Sequence, residues 1–146
     1  MIKVVDKNIA LPRYATKGSV GFDLASRVDI EVPPKDFALV PLNIIIKVPE
    51  GYTLFVTPRS SLFLKKKLIV PNSIGVIDQD YCGPDDEVKL LVYNVSDKSV
   101  KIEKGEYIAQ GIIVKIEKVS FSFVDDIECS SRGGFGSTGG YSSKEC

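Results

Sequence analysis

The sequence predicts an all-β sandwich or barrel, and three observations carry that expectation. Apolar residues come in short bursts dominated by Val and Ile, β-branched residues that suit a pleated, half-buried surface. Pro and Gly punctuate those bursts, with turn signals at Pro33-Pro34, Pro49-Glu50-Gly51 and Lys104-Gly105-Glu106. There is little of the i, i+3, i+4, i+7 spacing that marks an amphipathic helix.

Taken in chain order, strands are expected over residues 2–5, 28–32, 37–48, 52–57, 88–93, 99–103, 107–117 and 119–124. Many short strands at regular spacing are the signature of a sandwich or barrel. Residues 60–67, Ser-Ser-Leu-Phe-Leu-Lys-Lys-Lys, differ. A serine start signal, good helix formers and terminal lysines predict one or two turns of helix directly after the strand ending at Thr57-Pro58. Residues 68–70 and 76–77 are strand-like and flank the turn-prone Pro71-Asn72-Ser73, which together read as a hairpin.

Composition bounds the function. The chain has 146 residues, 44% hydrophobic and 26% charged, enough for one domain with a real core. Lys plus Arg equals Asp plus Glu at 19 each, so no global field draws the protein to nucleic acid or an anionic membrane, and neither is expected as a partner. There is no histidine. That excludes Ser-His-Asp and Cys-His nucleophile systems, and any proton transfer must use a carboxylate, Lys, Tyr or Cys. Cys82, Cys129 and Cys146 have no Cys-x-x-Cys spacing and come to an odd number, which points to a reducing compartment without a disulfide framework or zinc site. The N-terminus lacks the apolar run of a signal peptide, and runs such as residues 44–46 are too short to span a bilayer. A soluble protein of the cytoplasm or another intracellular compartment is expected.

The chain divides at about residue 130. Residues 1–129 carry the β pattern. Residues 130–146 read SSRGGFGSTGGYSSKEC, with five of the twelve glycines and almost nothing to bury. A disordered tail fits this composition. So does a ligand-ordered arm, in which glycine backbone approaches a phosphate, Arg132, Ser137 and Thr138 bind it, and Phe135 stacks on a base.

Two constellations could carry chemistry. In GVIDQDY, from Gly75 to Tyr81, exposed backbone N–H and C=O groups could read the edge of a base. Asp78 and Asp80 alternate with Gln79, so on a strand both carboxylates face one side and suit a general base or a metal environment, although a polar strand end in a turn has the same spacing. In Thr57-Pro58-Arg59-Ser60-Ser61-Leu62, a strand runs into a helix start, and Arg59 with two serines adds donors for an anion. An ordinary N-cap beside a surface arginine reads the same way. Asp23 in SVGFDL is a lone carboxylate near a strand start and Gln110 in GEYIAQ an amide on a strand after a turn, and alone each reads as structural.

These pieces, in this order, resemble the homotrimeric dUTPase family. Five motifs carry the resemblance across most of the chain: SVGFDL, PRSSL, NSIGVIDQDY, GEYIAQ and GGFGSTG. The resemblance implies a jelly-roll-like β subunit and a homotrimer with active sites assembled from different subunits. It implies hydrolysis of dUTP at the α-phosphorus to dUMP and pyrophosphate, with Mg²⁺ on the triphosphate. Carried over by position, Asp78 holds and deprotonates the attacking water and Arg59 orients that carboxylate. Asp23, through water, and Gln110 hold the Mg²⁺–phosphate assembly, and Ser60 with the Ser61 backbone holds phosphate oxygens. Asn72, Gly75, Val76 and Ile77 read uracil, Tyr81 packs under the deoxyribose, and Lys89 adds a hairpin contact. Phe135 stacks over the base while Arg132, Gly136, Ser137 and Thr138 close on the phosphates.

The chain departs from the family pattern at three places. Ser61 stands where glycine is usual after Pro-Arg-Ser. Two extra residues lie in Cys82-Gly83-Pro84-Asp85-Asp86, expected as a bulge. Arg132 precedes Phe135 by three residues where five is usual. Two other classes remain to be separated by turnover: a nucleotide-binding or regulatory protein on the same fold, and a relative of the dCTP deaminases, which share the Arg-Ser-Ser phosphate loop.

Overall fold

The computed structural model describes residues 1–134. Eleven strands and one short helix follow in order: β1 Ile2–Val4, β2 Phe22–Ala25, β3 Ile30–Val32, β4 Phe37–Pro41, β5 Ile44–Ile46, β6 Tyr52–Pro58, α1 Ser61–Lys66, β7 Leu68–Ile69, β8 Gly75–Ile77, β9 Lys89–Asn94, β10 Val100–Ile102 and β11 Tyr107–Lys115. All pairings are antiparallel. The four-stranded sheet has the order β2-β11-β6-β8 and the three-stranded one β4-β9-β7, with the pairs β1-β5 and β10-β3 beside them. The all-β, jelly-roll-like expectation holds.

The core is aliphatic. Leu24, Val32, Val40, Leu42, Leu54, Val56, Val88, Val92 and Ile102 are fully buried between the sheets. β9 shows the alternation expected of a strand with one buried face: Leu90, Val92 and Asn94 point in, Lys89 and Leu91 out. β2 differs. All four of its residues are buried, so it has no polar–apolar alternation to announce it, and it lies outside the strands expected from sequence.

Several expected elements are redrawn. Residues 37–48 form two strands, because the chain turns at Leu42-Asn43, where buried Asn43 adopts φ 64° and exchanges hydrogen bonds with the Asp6 backbone. Residues 119–124 form no strand, and Val119, Phe121 and Phe123 stand exposed because no other strand among the described residues pairs with them. Residues 68–77 do turn back, at Ser73 with φ 64°, but the two halves do not pair with each other: β7 joins β9 and β8 joins β6. The excursion thus bridges two sheets and is no closed hairpin. Helix α1 ends as its lysines predict, in a left-handed Lys67, yet Ser60 makes no side-chain capping bond. The extra residues near Cys82 form a closed loop of tight turns, with the Gly83 N–H donating to Asp86 Oδ2 at 2.6 Å. Cys82 and Cys129 are free thiols.

Gly111 on β11 is the close approach that this packing requires. A Cβ there would lie 2.5 Å from Cζ of Phe22 on β2. No helix among the described residues is long and apolar enough to cross a membrane.

Candidate active site

Most of the predicted site residues gather along β6: Asp23, Arg59, Ser60, Ser61 and Gln110 at its C-terminal end, and β8 beside it, running from Gly75 opposite Val56 to Ile77 opposite Leu54, so that Asp78 lies toward the N-terminal end. At its C-terminal end, Gln110 on β11 stands opposite Asp23 on one side and Thr57 on the other. Asp23 is buried, and its Oδ1 accepts from Gln110 Nε2 at 3.3 Å and pairs with Arg59 Nε at 3.2 Å. The Arg59 backbone N–H donates to the Ile108 carbonyl at 3.0 Å, which carries the chain off β6 and aims its side chain back over β11. The guanidinium lies 6.0 Å from the centroid of Tyr107. Ser60 is exposed and Ser61 half-buried at the start of α1, beside this cluster. A compensated carboxylate, a guanidinium, an amide and two serines form an arrangement suited to a hydrated cation and an oligophosphate.

The second group follows β8. Ile77 pairs with Leu54, so Asp78 emerges beside Thr53, whose hydroxyl donates to the Ile77 carbonyl at 2.9 Å. Asp78 and Asp80 are exposed and line one cleft of about 340 Å³, with Tyr52, Gln79 and Lys118. They sit in a turn beyond the strand end, and Gln79 lines the same cleft, so the alternation expected of a strand does not apply to them. Gln79 between them fastens that turn, donating from Nε2 to the Tyr52 carbonyl at 2.9 Å. Asn72 is exposed at the turn, and Val76 is 60% exposed, so the β8 edge is open to a ligand. The Tyr81 hydroxyl donates to the Glu87 carbonyl at 3.3 Å, which ties its ring to the segment leading into β9.

Within one chain Arg59 and Asp78 do not meet, although Arg59 and Ser60 line one pocket with Ser73, the neighbour of Asn72. From Thr53 to Arg59 is six residues of extended strand, roughly 20 Å, so Arg59 does not touch Asp78. Its partner is Asp23. Lys89 lies at the start of β9, opposite Pro41 in the other sheet, away from β8. Arg132 is exposed in a segment without secondary structure, and Phe135, Gly136, Ser137 and Thr138 lie outside the described residues. Sequence reasoning gave no role to Tyr107 or Arg13. Both guanidinium groups, that of Arg13 at 5.5 Å and that of Arg59, lie against the Tyr107 ring, a contact between distant residues that no local motif announces.

No group of three or more acidic or cysteine side chains among the described residues is placed to hold a metal ion. A lone buried carboxylate, Asp23, beside the Gln110 amide is chemically compatible with a hydrated divalent cation whose other ligands are waters and phosphate oxygens.

A profile of the dUTPase family matches residues 7–139. The chain is 46% identical over 142 residues to the deoxyuridine 5'-triphosphate nucleotidohydrolase of Hydrogenobaculum sp. (strain Y04AAS1), covering 95% of this chain and 96% of that protein. It is 39% identical over 140 residues to the protein of the same name from Helicobacter pylori (strain Shi470), covering 94% of each. Among solved structures, the dUTPase of Streptococcus mutans superposes with a TM-score of 0.75 at 28% identity, over 82% of this chain and 98% of that one. The Staphylococcus bacteriophage 80alpha dUTPase G164S mutant, solved with dUpNHpp, superposes with a TM-score of 0.82 at 27% identity, over 95% of this chain and 97% of that one.

Proposed function

The chain belongs to the dUTPase family and is a hydrolase of nucleotide metabolism, and from that premise we propose that it converts dUTP to dUMP and pyrophosphate at a site shared between subunits of a homotrimer. The observation that carries this reading is the separation of Arg59, paired with Asp23 at the C-terminal end of β6, from Asp78, which follows β8 toward the other end. One protomer supplies Asp23, Arg59, Ser60, Ser61 and Gln110, and another supplies Asn72, the β8 edge, Asp78 and Tyr81. Residues 130–146 act as an arm that closes over the bound nucleotide through Phe135, Gly136, Ser137, Thr138 and Arg132.

Asp78 is exposed and free to take a proton from a water molecule. The water oxygen bonds to the α-phosphorus, the bond from that phosphorus to the bridging oxygen breaks, and pyrophosphate leaves with the electron pair. Arg59, arriving from the neighbouring subunit, orients the Asp78 carboxylate, while Ser60 and the Ser61 N–H hold phosphate oxygens as charge builds. Asp23 and Gln110 would hold the hydration shell of a divalent cation such as Mg²⁺ on the triphosphate, which when bound would supply charge screening to the phosphates. Asn72 and the backbone of Gly75, Val76 and Ile77 pair with uracil, so cytosine would leave donors and acceptors unpaired. The Tyr81 ring, fixed through Glu87, packs under the deoxyribose and excludes a 2′-hydroxyl. Lys89 reaches the β8 edge of a neighbouring subunit.

Product analysis tests the proposal. The protein is incubated with Mg²⁺ and separately with dUTP, dCTP, dTTP and UTP, and nucleotides and pyrophosphate are measured. Conversion of dUTP alone to dUMP and pyrophosphate is expected. Deamination of dCTP would move the protein to the deaminase branch, and saturable dUTP binding without turnover would make it a binding module.

A further inference from the structure

Arg13 is exposed yet held at three points. Its carbonyl accepts the Asp23 N–H at 2.8 Å, the next residue, Tyr14, packs edge-on against Phe22 at 5.9 Å, and its guanidinium lies 5.5 Å from the Tyr107 ring centroid. A surface arginine ordinarily spends its conformational freedom in solvent. This one is fixed, and against the same ring that carries Arg59.

The charges around the ring do not balance. Asp23 is committed to Arg59 and Gln110, and Glu106 is paired with Lys66 at 3.0 Å. Among the described residues Arg13 has no carboxylate within 4.0 Å. Two guanidinium groups and one carboxylate leave a surplus positive charge beside Ser60 and Gln110. Holding two cations near one aromatic ring opposes their mutual repulsion, and an anion that bridges them relieves it. The Tyr107 hydroxyl is buried without a hydrogen-bond partner, so the ring is held there by packing and its π face, not by its polar end.

We infer that Arg13 is a phosphate-binding residue that grips the pyrophosphate portion of the substrate, and that Tyr107 is the positioning residue that holds Arg13 and Arg59 in one anion seat. The inference rests on the dUTP reading for the identity of the substrate, but the seat itself is defined by oligophosphate chemistry. Guanidinium forks suit phosphate oxygens, and the seat lies beside the residues proposed to hold the triphosphate.

The test is calorimetric titration of the full chain with inorganic pyrophosphate and, separately, with dUMP. In Arg13→Gln, pyrophosphate affinity is expected to fall roughly tenfold, the loss of one charge-assisted contact, while dUMP affinity stays unchanged. Arg13→Lys should recover part of the loss, and Tyr107→Leu, which removes the ring, should lower pyrophosphate affinity while leaving dUMP affinity unchanged; wild-type pyrophosphate affinity in Tyr107→Leu overturns its positioning role. Unchanged pyrophosphate binding in Arg13→Gln overturns the inference. So does an equal loss of pyrophosphate and dUMP, which would show a structural role. Wild-type turnover on dUTP is measured in parallel. Failure there with Arg13-dependent pyrophosphate binding intact would sink the substrate reading alone, and normal turnover with unaffected Arg13→Gln would sink this inference alone.

Discussion

Arg59 pairs with Asp23, Nε to Oδ1 at 3.2 Å, and not with Asp78. The guanidinium and the proposed base belong to opposite ends of one strand, so a single chain cannot bring them to one phosphorus atom. Two inactive variants should therefore complement each other. Asp78→Asn should retain dUTP binding and lose most hydrolysis, and Arg59→Ala should lose most hydrolysis as well. Mixed by co-refolding, they should regain about a quarter of wild-type turnover under random assembly in a closed ring. That is the chance that an Asp78→Asn subunit donates its Arg59 to a site whose Asp78 comes from an Arg59→Ala subunit. No recovery in trimers shown to be mixed would place both residues in one chain's site.

Glu87 supports Tyr81 from behind. Its carboxylate receives Arg27 Nε at 2.8 and 3.0 Å and the buried Asn43 N–H at 2.9 Å, and its carbonyl receives the Tyr81 hydroxyl. The hydrogen bond to Glu87 holds the Arg27 guanidinium above its ordinary pKa. Glu87→Ala strands two donors and should cost about 2–3 kcal/mol in denaturant unfolding. It should also raise KM for dUTP by loosening the Tyr81 loop, and Glu87→Gln should do less of both.

Asp6 gives a pH signature. Lys104 Nζ lies 2.6 Å from its carboxylate and the Asn8 N–H donates to it at 2.9 Å, which holds its pKa below the ordinary 3.8. A lowered folded pKa means that the unfolded chain takes up the proton first. The contribution is therefore present above 3.8 and lost as pH falls through the folded value. Wild type should melt above Asp6→Asn at neutral pH, with the gap narrowing only below 3.8. A gap that is constant across this range would show that the Lys104 contact contributes nothing.

The motif residues were legible in the sequence because each has a local signature; their division between two places was not. Strand pairing joins Gln110 to Asp23 across 87 residues and Thr53 to the Ile77 carbonyl across 24, and no window along the chain contains such information. β2 escaped for a different reason, since four consecutive buried residues leave no period of two. Residues 119–124 misled in the opposite sense. They have strand-like alternation, but a strand is a pairing, and their exposed Phe121 and Phe123 have no partner strand among the described residues. The bridging excursion at Ser73 was half-legible: turn chemistry marks where the chain reverses, not which neighbours its two sides join.

Gly111 links the core to the site. It lies on β11 between Phe22 of β2 and Val56 of β6, and an added Cβ would fall 2.5 Å from Phe22 Cζ and 3.0 Å from Leu54 Cδ1. Phe22 is buried and packed against Tyr14, so its ring has little room to retreat. Gly111→Ala should therefore destabilise by about 1–3 kcal/mol through overpacking. The damage should reach turnover, because the residues next in sequence, Asp23 after Phe22 and Gln110 before Gly111, form the 3.3 Å pair at the C-terminal end of β6, where the proposed phosphate site lies. Phe22→Leu removes the ring that the new methyl strikes. Alone it should destabilise by leaving a cavity, but in Gly111→Ala/Phe22→Leu the two losses should sum to less than their parts by about 0.5–3 kcal/mol, the range for residues in direct contact. Additive losses in denaturant titrations would mean that the strain at Gly111 comes from Leu54 or the backbone, and the Asp23–Gln110 pair would then owe its position to β6 more than to Phe22.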